Sequence, residues 1–232
     1  FGVGVMQDAP AVNWPGAGEQ VGSEDSEVGW TFHWWHHQGT VPALREKATY
    51  PDSPDGVLHL DTLAEIPVNA RDQYAGRMFG WYLADQDGPH DFYIASDDNG
   101  ELWFGEDQSA TVMIAHVPGW TASRAWEINP SQKGTVSLKK GKYYWFEALF
   151  QEGGGGDNLA VGVIKPDGVQ DRPISVTRDG VPQLLTKKLD ISIPREMDMA
   201  ACALEGEECE FANMALVRYS LGWPSVPSVF SI

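Results

Sequence analysis

The stretch Asp91-Phe92-Tyr93-Ile94-Ala95-Ser96-Asp97-Asp98-Asn99-Gly100-Glu101-Leu102-Trp103-Phe104 contains two strand patterns around one turn. Phe92–Ala95 and Leu102–Phe104 are rich in aromatic and branched apolar residues, which favour β-strands. Between them, Ser96-Asp97-Asp98-Asn99-Gly100 consists of residue types that favour turns for backbone reasons. The stretch therefore predicts a strand, a turn that carries two adjacent carboxylates, and a second strand.

The same alternation of short apolar stretches and turn residues extends outward in both directions. Helical periodicity is scarce, and only Arg71–Gly76 and Ser123–Trp126 suit a single helical turn. Many short strands without a βαβ rhythm predict an all-β sandwich or barrel. The remaining strand candidates are Trp30–Trp35, Val57–Leu60, Arg77–Leu83, Thr111–Val117, Thr135–Leu138, Tyr143–Phe150 and Leu159–Ile164.

The segments outside this pattern set the expected domain boundaries. Residues 1–28 combine prolines, glycines and acidic residues and are expected to form an irregular N-terminal arm. The sandwich is expected over residues 29–168, and residues 169–232 form a β-rich C-terminal extension. Its strand-like pieces are Ile174–Thr177, Leu189–Ile193 and Phe211–Tyr219.

Tyr143–Phe150 predicts a central strand, since it is apolar on nearly both of its faces. It runs into Gln151-Glu152 and four glycines, and the loop ends in Asp157-Asn158. Glycine allows backbone angles that are closed to other residues. A glycine loop between two buried strands suggests a loop that binds a ligand.

The charge balance narrows the classes of partner. The chain has 33 acidic and 16 basic residues, a formal net charge of −17. This charge repels phosphate backbones, so nucleic acids and anionic membranes are poor candidate partners. No apolar run is long enough to span a bilayer. The common nucleophile, zinc-protease and phosphate-loop signatures are absent from the sequence, so a non-enzymatic protein is expected.

Cys202 and Cys209 are the only two cysteines. A disulfide between them, and hence an oxidising compartment, is the favoured interpretation, and two buried free thiols are the alternative. The chain opens Phe1-Gly2-Val3-Gly4 without Met or a signal segment, as expected of a processed mature chain. Together these features predict a secreted, extracellular protein.

Two segments are candidates for metal binding. Calcium prefers six to eight oxygen ligands, and Asp97 and Asp98 with Gln151, Asp157 and Asn158 offer such oxygens. An ordinary hairpin turn is the alternative for the aspartate pair. The second segment, His33-Trp34-Trp35-His36-His37, suits zinc or copper by composition. Successive side chains of a strand point to opposite faces, however, so an aromatic structural strand is favoured there.

Several motifs in one register are similar to a known family, the protective-antigen-type domain of anthrax toxin and yeast flocculins. The resemblance covers about Trp30 to Pro166 and implies a twisted antiparallel β-sandwich. The motifs that carry it are Asp91–Phe104, Val117-Pro118-Gly119-Trp120-Thr121, Pro130-Ser131-Gln132-Lys133, Leu138–Tyr144, Phe146-Glu147-Ala148-Leu149 and Glu152–Gly162.

The resemblance also implies a site. In lectin members of the family, two aspartates joined by a cis peptide hold a calcium ion, and sugar hydroxyls bind its exposed side. The pair falls on Asp97 and Asp98, and the flocculin-type asparagine falls on Asn158, which together make the ligand-binding set. Asp157 and Gln151 correspond to variants in other branches of the family.

A calcium-dependent lectin or adhesin for neutral sugars with vicinal diols is therefore the leading hypothesis, with homo-oligomers as a source of avidity. Val163 stands where close relatives often have a tryptophan, so the resemblance does not identify which sugar is bound. A protein-interaction or matrix-scaffold domain without a sugar ligand is the first alternative. An accessory module of a glycosidase is the second.

Overall fold

The computed structural model describes residues 20–21, 28–37, 39–178 and 180–186. The strands are β1 Gln20–Val21, β2 Trp30–His36, β3 Gly56–Leu60, β4 Tyr74–Leu83, β5 Gly88–Asp97, β6 Gly100–Gly105, β7 Val112–Val117, β8 Lys133–Leu138, β9 Tyr143–Glu152, β10 Asn158–Ile164, β11 Gln170–Asp171, β12 Thr177–Arg178, β13 Val181–Pro182 and β14 Leu184–Leu185. One α-helix, α1 Val41–Arg45, and one 3-10 helix, Pro130–Gln132, complete the described elements.

The fold is all-β, and two antiparallel sheets pack as a sandwich, as the sequence predicts. The larger sheet has the order β1-β3-β2-β4-β9-β6-β7, with β14 also paired to β4. The smaller sheet has the order β11-β10-β5-β8. The short β1–β3 pair is parallel, and β12 and β13 form a separate two-stranded ribbon.

Strand β9 lies in the middle of the larger sheet, between β4 and β6. Its inner face carries Phe146, which packs against Phe92 of the opposite sheet with ring centroids 4.4 Å apart. On its outer face, Leu149 is buried in a second cluster with Trp35 and with Leu44 of α1. Burial on both faces confirms the predicted central position of Tyr143–Phe150.

The predicted strand Ile174–Thr177 is wrong, since only its last residue lies in a strand, β12. The strands predicted between residues 30 and 164 are confirmed in position, but β5 begins four residues earlier than expected, at Gly88, and β4 begins three residues earlier, at Tyr74. Gly76 and Gly80 obscure the strand pattern in the sequence, since glycine has low strand propensity. In the structure, a Cβ atom on Gly76 would lie 2.3 Å from the Phe32 ring, and one on Gly80 would lie 2.1 Å from Trp30. Both glycines make room for large aromatic rings of the core.

The short helix α1 was not predicted, because five residues carry too little periodicity. Thr40 caps it, with its hydroxyl oxygen 3.4 Å from the Ala43 amide nitrogen, and Pro42 lies in its first turn. The predicted helical turn at Arg71–Gly76 is wrong, since Tyr74 onward is strand.

The first part of the expected C-terminal extension continues both sheets. Strand β11 pairs with β10, and β14 pairs with Trp81 and Tyr82 of β4. The predicted strands Leu189–Ile193 and Phe211–Tyr219, Cys202 and Cys209, and most of the arm at 1–28 lie outside the described residues. The boundaries at 1–28, 29–168 and 169–232 stay a prediction. Within the described ranges, every helix is too short or too polar to cross a bilayer.

Candidate functional site

The aspartate pair lies where the chain passes from one sheet to the other. Strand β5 of the smaller sheet ends at Asp97, and β6 of the larger sheet begins at Gly100. The Asp97–Asp98 peptide bond is cis, the geometry that the family resemblance implies. The Asp98 amide donates to the Gln151 carbonyl at 3.0 Å, and the Gln151 amide donates to the Asn99 carbonyl at 3.1 Å. The turn is therefore fixed to the end of β9.

Three carboxylates converge at this crossover. Asp97, Asp98 and Glu152 each place an oxygen within 4.8 Å of the others. Glu152 is only 1% exposed, yet neither of its carboxylate oxygens has a hydrogen-bond partner among the residues that the structure describes. A buried polar group without a partner costs free energy, so this arrangement needs an explanation.

Glu152 was not among the residues predicted from the sequence, although the strand pattern contains a signal for it. Alternate residues of a strand share a face. Glu152 therefore continues the inner face of β9 that carries Tyr144, Phe146 and Phe150, all of which are buried. A carboxylate on the core face of a central strand is rare without a compensating partner.

Burial and neighbouring charges raise the pKa of two of these carboxyl groups. Burial, followed by repulsion from Asp98 and Asp97, raises the pKa of the Glu152 carboxyl from 4.5 to about 7. Burial, followed by the neighbouring Asp98 charge, also raises the pKa of Asp97. Both shifts have the causes expected of carboxylates that are removed from water and lie close to one another.

Asn158 begins β10 directly opposite Asp97 in the smaller sheet, so the two side chains share a face of that sheet. Its amide nitrogen donates to the Thr121 carbonyl at 2.9 Å. Its amide oxygen is buried and has no partner within the described ranges. The predicted site asparagine thus has an acceptor oxygen that the protein itself leaves unused.

Asp157 and Gln151 contribute differently. Asp157 is buried, and its two oxygens accept hydrogen bonds from the Ala70 amide, at 2.6 Å, and from the Tyr74 hydroxyl. These bonds fasten the segment before β4 to the glycine loop. Burial raises the pKa of Asp157, whereas the same hydrogen bonds act in the opposite direction. Gln151 connects β9 to the aspartate turn through its backbone.

The glycine loop folds back over the site. The Gly153 amide donates to an Asp98 carboxylate oxygen at 3.0 Å, and the Gly155 amide donates to Asp72 at 3.1 Å. Gly155 has φ +119°, in the region that favours glycine. The sequence prediction of a loop built for backbone freedom therefore has a local structural reason.

A third loop, 118–121, borders the same crossover. The Thr121 amide donates to the Ser96 carbonyl at 2.7 Å, and the Thr121 hydroxyl accepts from the Ser96 amide at 3.1 Å. The preceding residue, Trp120, is 66% exposed, which is unusual for a tryptophan. The structure thus holds an exposed indole beside the strand end that carries Asp97.

The histidine-rich segment forms the aromatic strand β2, as favoured from its pattern. The rings of His33 and His36 contact different aromatic partners, Phe79 at 4.9 Å and Trp34 at 5.0 Å between ring centroids. Burial, together with the charge of Arg77, lowers the pKa of His33 from 6.5 to about 4. These contacts give the segment a structural role.

Residues 74–165 match the family model of the GLEYA domain. This range contains the aspartate turn, all of β9, the glycine loop and Asn158. The assignment to the protective-antigen type in particular stays a prediction.

One curated mouse protein is similar to part of the chain. It is N-acetyl-beta-glucosaminyl-glycoprotein 4-beta-N-acetylgalactosaminyltransferase 1 of Mus musculus, 33% identical over 132 residues. The match covers 53% of this chain but only 13% of the mouse protein. The chain thus corresponds to a small part of that relative.

Three solved structures illustrate the structural similarity. An anti-sigma factor domain-containing protein from Clostridium clariflavum has a TM-score of 0.46 at 18% identity, over 79% of this chain and 53% of that one. A subtype-switched A domain of Epithelial Adhesin 9 from Candida glabrata, in complex with β-lactose, has a TM-score of 0.46 at 13% identity, over 75% and 94%. The PA14 sugar-binding domain from an RTX adhesin has a TM-score of 0.44 at 12% identity, over 63% and 94%.

Proposed function

We propose that this protein binds neutral carbohydrates through a calcium ion held at the sheet crossover, without catalysing a reaction. The observation that carries the proposal is Glu152, a buried carboxylate beside Asp97 and Asp98 that has no hydrogen-bond partner among the described residues. The match to the GLEYA domain over this region supports it.

The donor set fits calcium. Calcium takes six to eight hard oxygen ligands, and carboxylates and amide oxygens are among its usual donors. Asp97, Asp98 and Glu152 would hold the ion, and the unused amide oxygen of Asn158 is a further donor beside them. The first prediction of the ligand set included Asp157 and Gln151. Because both oxygens of Asp157 already accept protein hydrogen bonds, we assign it a structural role, in which it holds the glycine loop to Ala70 and Tyr74.

A bound calcium ion supplies coordination positions that two neighbouring sugar hydroxyls fill. The protein's own residues orient the sugar around that point. Asp97 and Asp98 are partly exposed, so the site opens to solvent on their side. Trp120 offers an exposed aromatic face, and sugar rings have apolar C–H faces that suit such a surface. Val163, by contrast, is buried in the core, so its replacement of a tryptophan does not remove an exposed aromatic surface.

A shallow site of this kind gives weak binding of a single sugar, with a Kd of about 1 mM, or roughly −4 kcal/mol. Several copies on one surface, or a homo-oligomer, would raise the avidity. Extracellular calcium modules work with dissociation constants of about 0.1–1 mM, and we expect a calcium Kd in this range for a secreted protein of this kind.

The decisive test is glycan binding with calcium and with EGTA. The probes are a broad glycan array that includes Galβ1-4GlcNAc and Galβ1-3GlcNAc, each of which is bound in a structure of a Candida glabrata adhesin domain. We expect binding that EGTA abolishes. Calorimetry with calcium alone measures the ion site separately.

Asp98→Asn is the test variant, and Asp91→Asn, on the strand β5 that precedes Asp98, is its matched control. Asp91 forms an ion pair with Lys133 at 2.6 Å, away from the crossover. We expect Asp98→Asn to lose calcium and glycans, and Asp91→Asn to keep both. Calcium binding without any glycan would favour the scaffold alternative, and glycan binding that survives EGTA would refute the role of the ion.

A further inference from the structure

A groove of about 190 Å³ lies beside the proposed ion site. Its floor is the start of β6, and its walls are the start of α1 and the end of β7. The start of α1 lines it with Thr40, Val41 and Pro42, the turn into β6 with Asn99, the start of β6 with Glu101, and β7 with Met113. Drug-sized ligands occupy pockets of roughly 300–1,000 Å³, so this groove suits a single small ring.

The wall that α1 forms is fixed to the floor. Arg45, the last residue of α1, lies 3.3 Å from a carboxylate oxygen of Glu101 and stacks over the Trp103 ring at 4.1 Å. The same Glu101 oxygen accepts from the Trp103 indole at 2.9 Å. The groove is therefore a preformed feature, and a ligand meets little ordering cost on entering it.

Asn99 makes the groove continuous with the ion site. It directly follows Asp98, and consecutive Cα atoms are only about 3.8 Å apart. Its carbonyl is held by the Gln151 amide, while its side chain is exposed and lines the groove. The mouth of the groove is therefore one residue along the chain from the aspartate pair that would hold the ion, and so close to a sugar bound there.

The lining suits a neutral sugar ring. Thr40, Asn99, Glu101 and His116 offer hydrogen-bonding groups for hydroxyls, and Val41, Pro42 and Met113 offer apolar surface for the C–H face. The net charge of −17 disfavours an acidic sugar.

We infer that this groove is a second subsite, which binds the neutral hexose linked to the sugar on the ion. The inference rests on the proposed function. It makes the natural ligand at least a disaccharide that extends toward α1, away from the glycine loop.

The experiment compares disaccharides with the methyl glycosides of their terminal sugars. The probes are lactose, cellobiose and α1,2-mannobiose against methyl glycosides of galactose, glucose and mannose, measured by calorimetry in calcium. We expect the best disaccharide to bind about tenfold more tightly than its methyl glycoside, which corresponds to about 1.4 kcal/mol.

Met113→Trp is the test variant because Met113 is 47% exposed and lies in the groove, so a larger side chain fills it without disturbing the core. Val112→Trp is the matched control, since Val112 is 59% exposed and does not line the groove. We expect Met113→Trp to lose the tenfold preference while its methyl-glycoside and calcium affinities stay unchanged. Val112→Trp should keep the preference.

Each outcome separates the two proposals. If Met113→Trp keeps the full disaccharide preference, or if wild-type protein shows none, the subsite is refuted while the ion site stands. If neither methyl glycosides nor disaccharides bind in calcium, the proposed function fails, and the subsite fails with it.

Discussion

Replacing Glu152 with glutamine should have opposite effects on stability with and without calcium. Without calcium, the Glu152 carboxylate is buried beside two like charges, and its pKa of about 7 lies well above the ordinary 4.5. At pH 7 this shift corresponds to a destabilisation of at most about 3 kcal/mol. Because water around Asp97 and Asp98 screens part of the repulsion, we expect Glu152→Gln to gain about 1–2 kcal/mol in EGTA.

With calcium, the same substitution should be destabilising relative to wild type. Calcium at a hundred times its Kd stabilises the native state by about 2.7 kcal/mol. Calcium affinity depends on the number of charged ligands, and Glu152→Gln removes one carboxylate from the proposed site. We expect the affinity to fall at least tenfold, and each tenfold loss removes about 1.4 kcal/mol of stabilisation.

The assay is thermal unfolding in EGTA and in excess calcium at pH 7. In a chain of this size, 1 kcal/mol shifts Tm by about 2–4 °C, so the crossing of the two effects is measurable. Glu147→Gln is the matched control on the same strand. Glu147 accepts hydrogen bonds from the Tyr50 hydroxyl and the Arg77 guanidinium, each at 2.9 Å. Its replacement should therefore destabilise the protein equally in EGTA and in calcium, so that the rise in Tm on adding calcium stays unchanged. A Glu152→Gln protein that is less stable in EGTA, or that retains the full calcium increment, would refute the reasoning.

Three further predictions concern the rest of the chain. The native pKa of His33 lies below that of the unfolded state, so stability should fall as pH drops from about 6.5 to 4, by at most about 3 kcal/mol, and urea unfolding of His33→Phe should show a flatter pH profile. Tyr74→Phe removes a hydrogen-bond donor from the buried Asp157 carboxylate and should lower the free energy of unfolding by about 2 kcal/mol, as measured by urea unfolding. An unchanged urea midpoint would contradict the structural role of Asp157. Mass spectrometry of the unreduced protein should show Cys202 bonded to Cys209, and alkylation of both thiols would exclude it.

Strand positions were largely predictable from the sequence because the core is built from aromatic and branched residues between turn residues. The central place of β9 followed from its two apolar faces. The start of β4 did not, because Gly76 and Gly80 weaken the local pattern and are there to admit rings from β2. Propensity describes the residue itself, whereas that requirement comes from a neighbouring strand.

The candidate site was predictable in part for a similar reason. Asp97 and Asp98 are adjacent in the chain, so their proximity is visible in the sequence. Glu152 joins them only through the pairing of β6 with β9, a contact between residues about fifty positions apart. Asp157 has the same side chain as the proposed calcium ligands, and only the hydrogen bonds that it accepts from Ala70 and Tyr74, which the sequence does not reveal, support a structural role for it instead.

The position of the aspartate turn between the two sheets has a mechanical consequence. Asp98 and Asn99 alone connect β5 of one layer to β6 of the other, and Glu152 lies at the end of a ladder ten residues long between β9 and β4. A force applied through a ligand bound at this turn would therefore act on both sheets at the same point. If that force is directed along the strands, many backbone hydrogen bonds of each ladder share it. No single edge strand then bears the whole force.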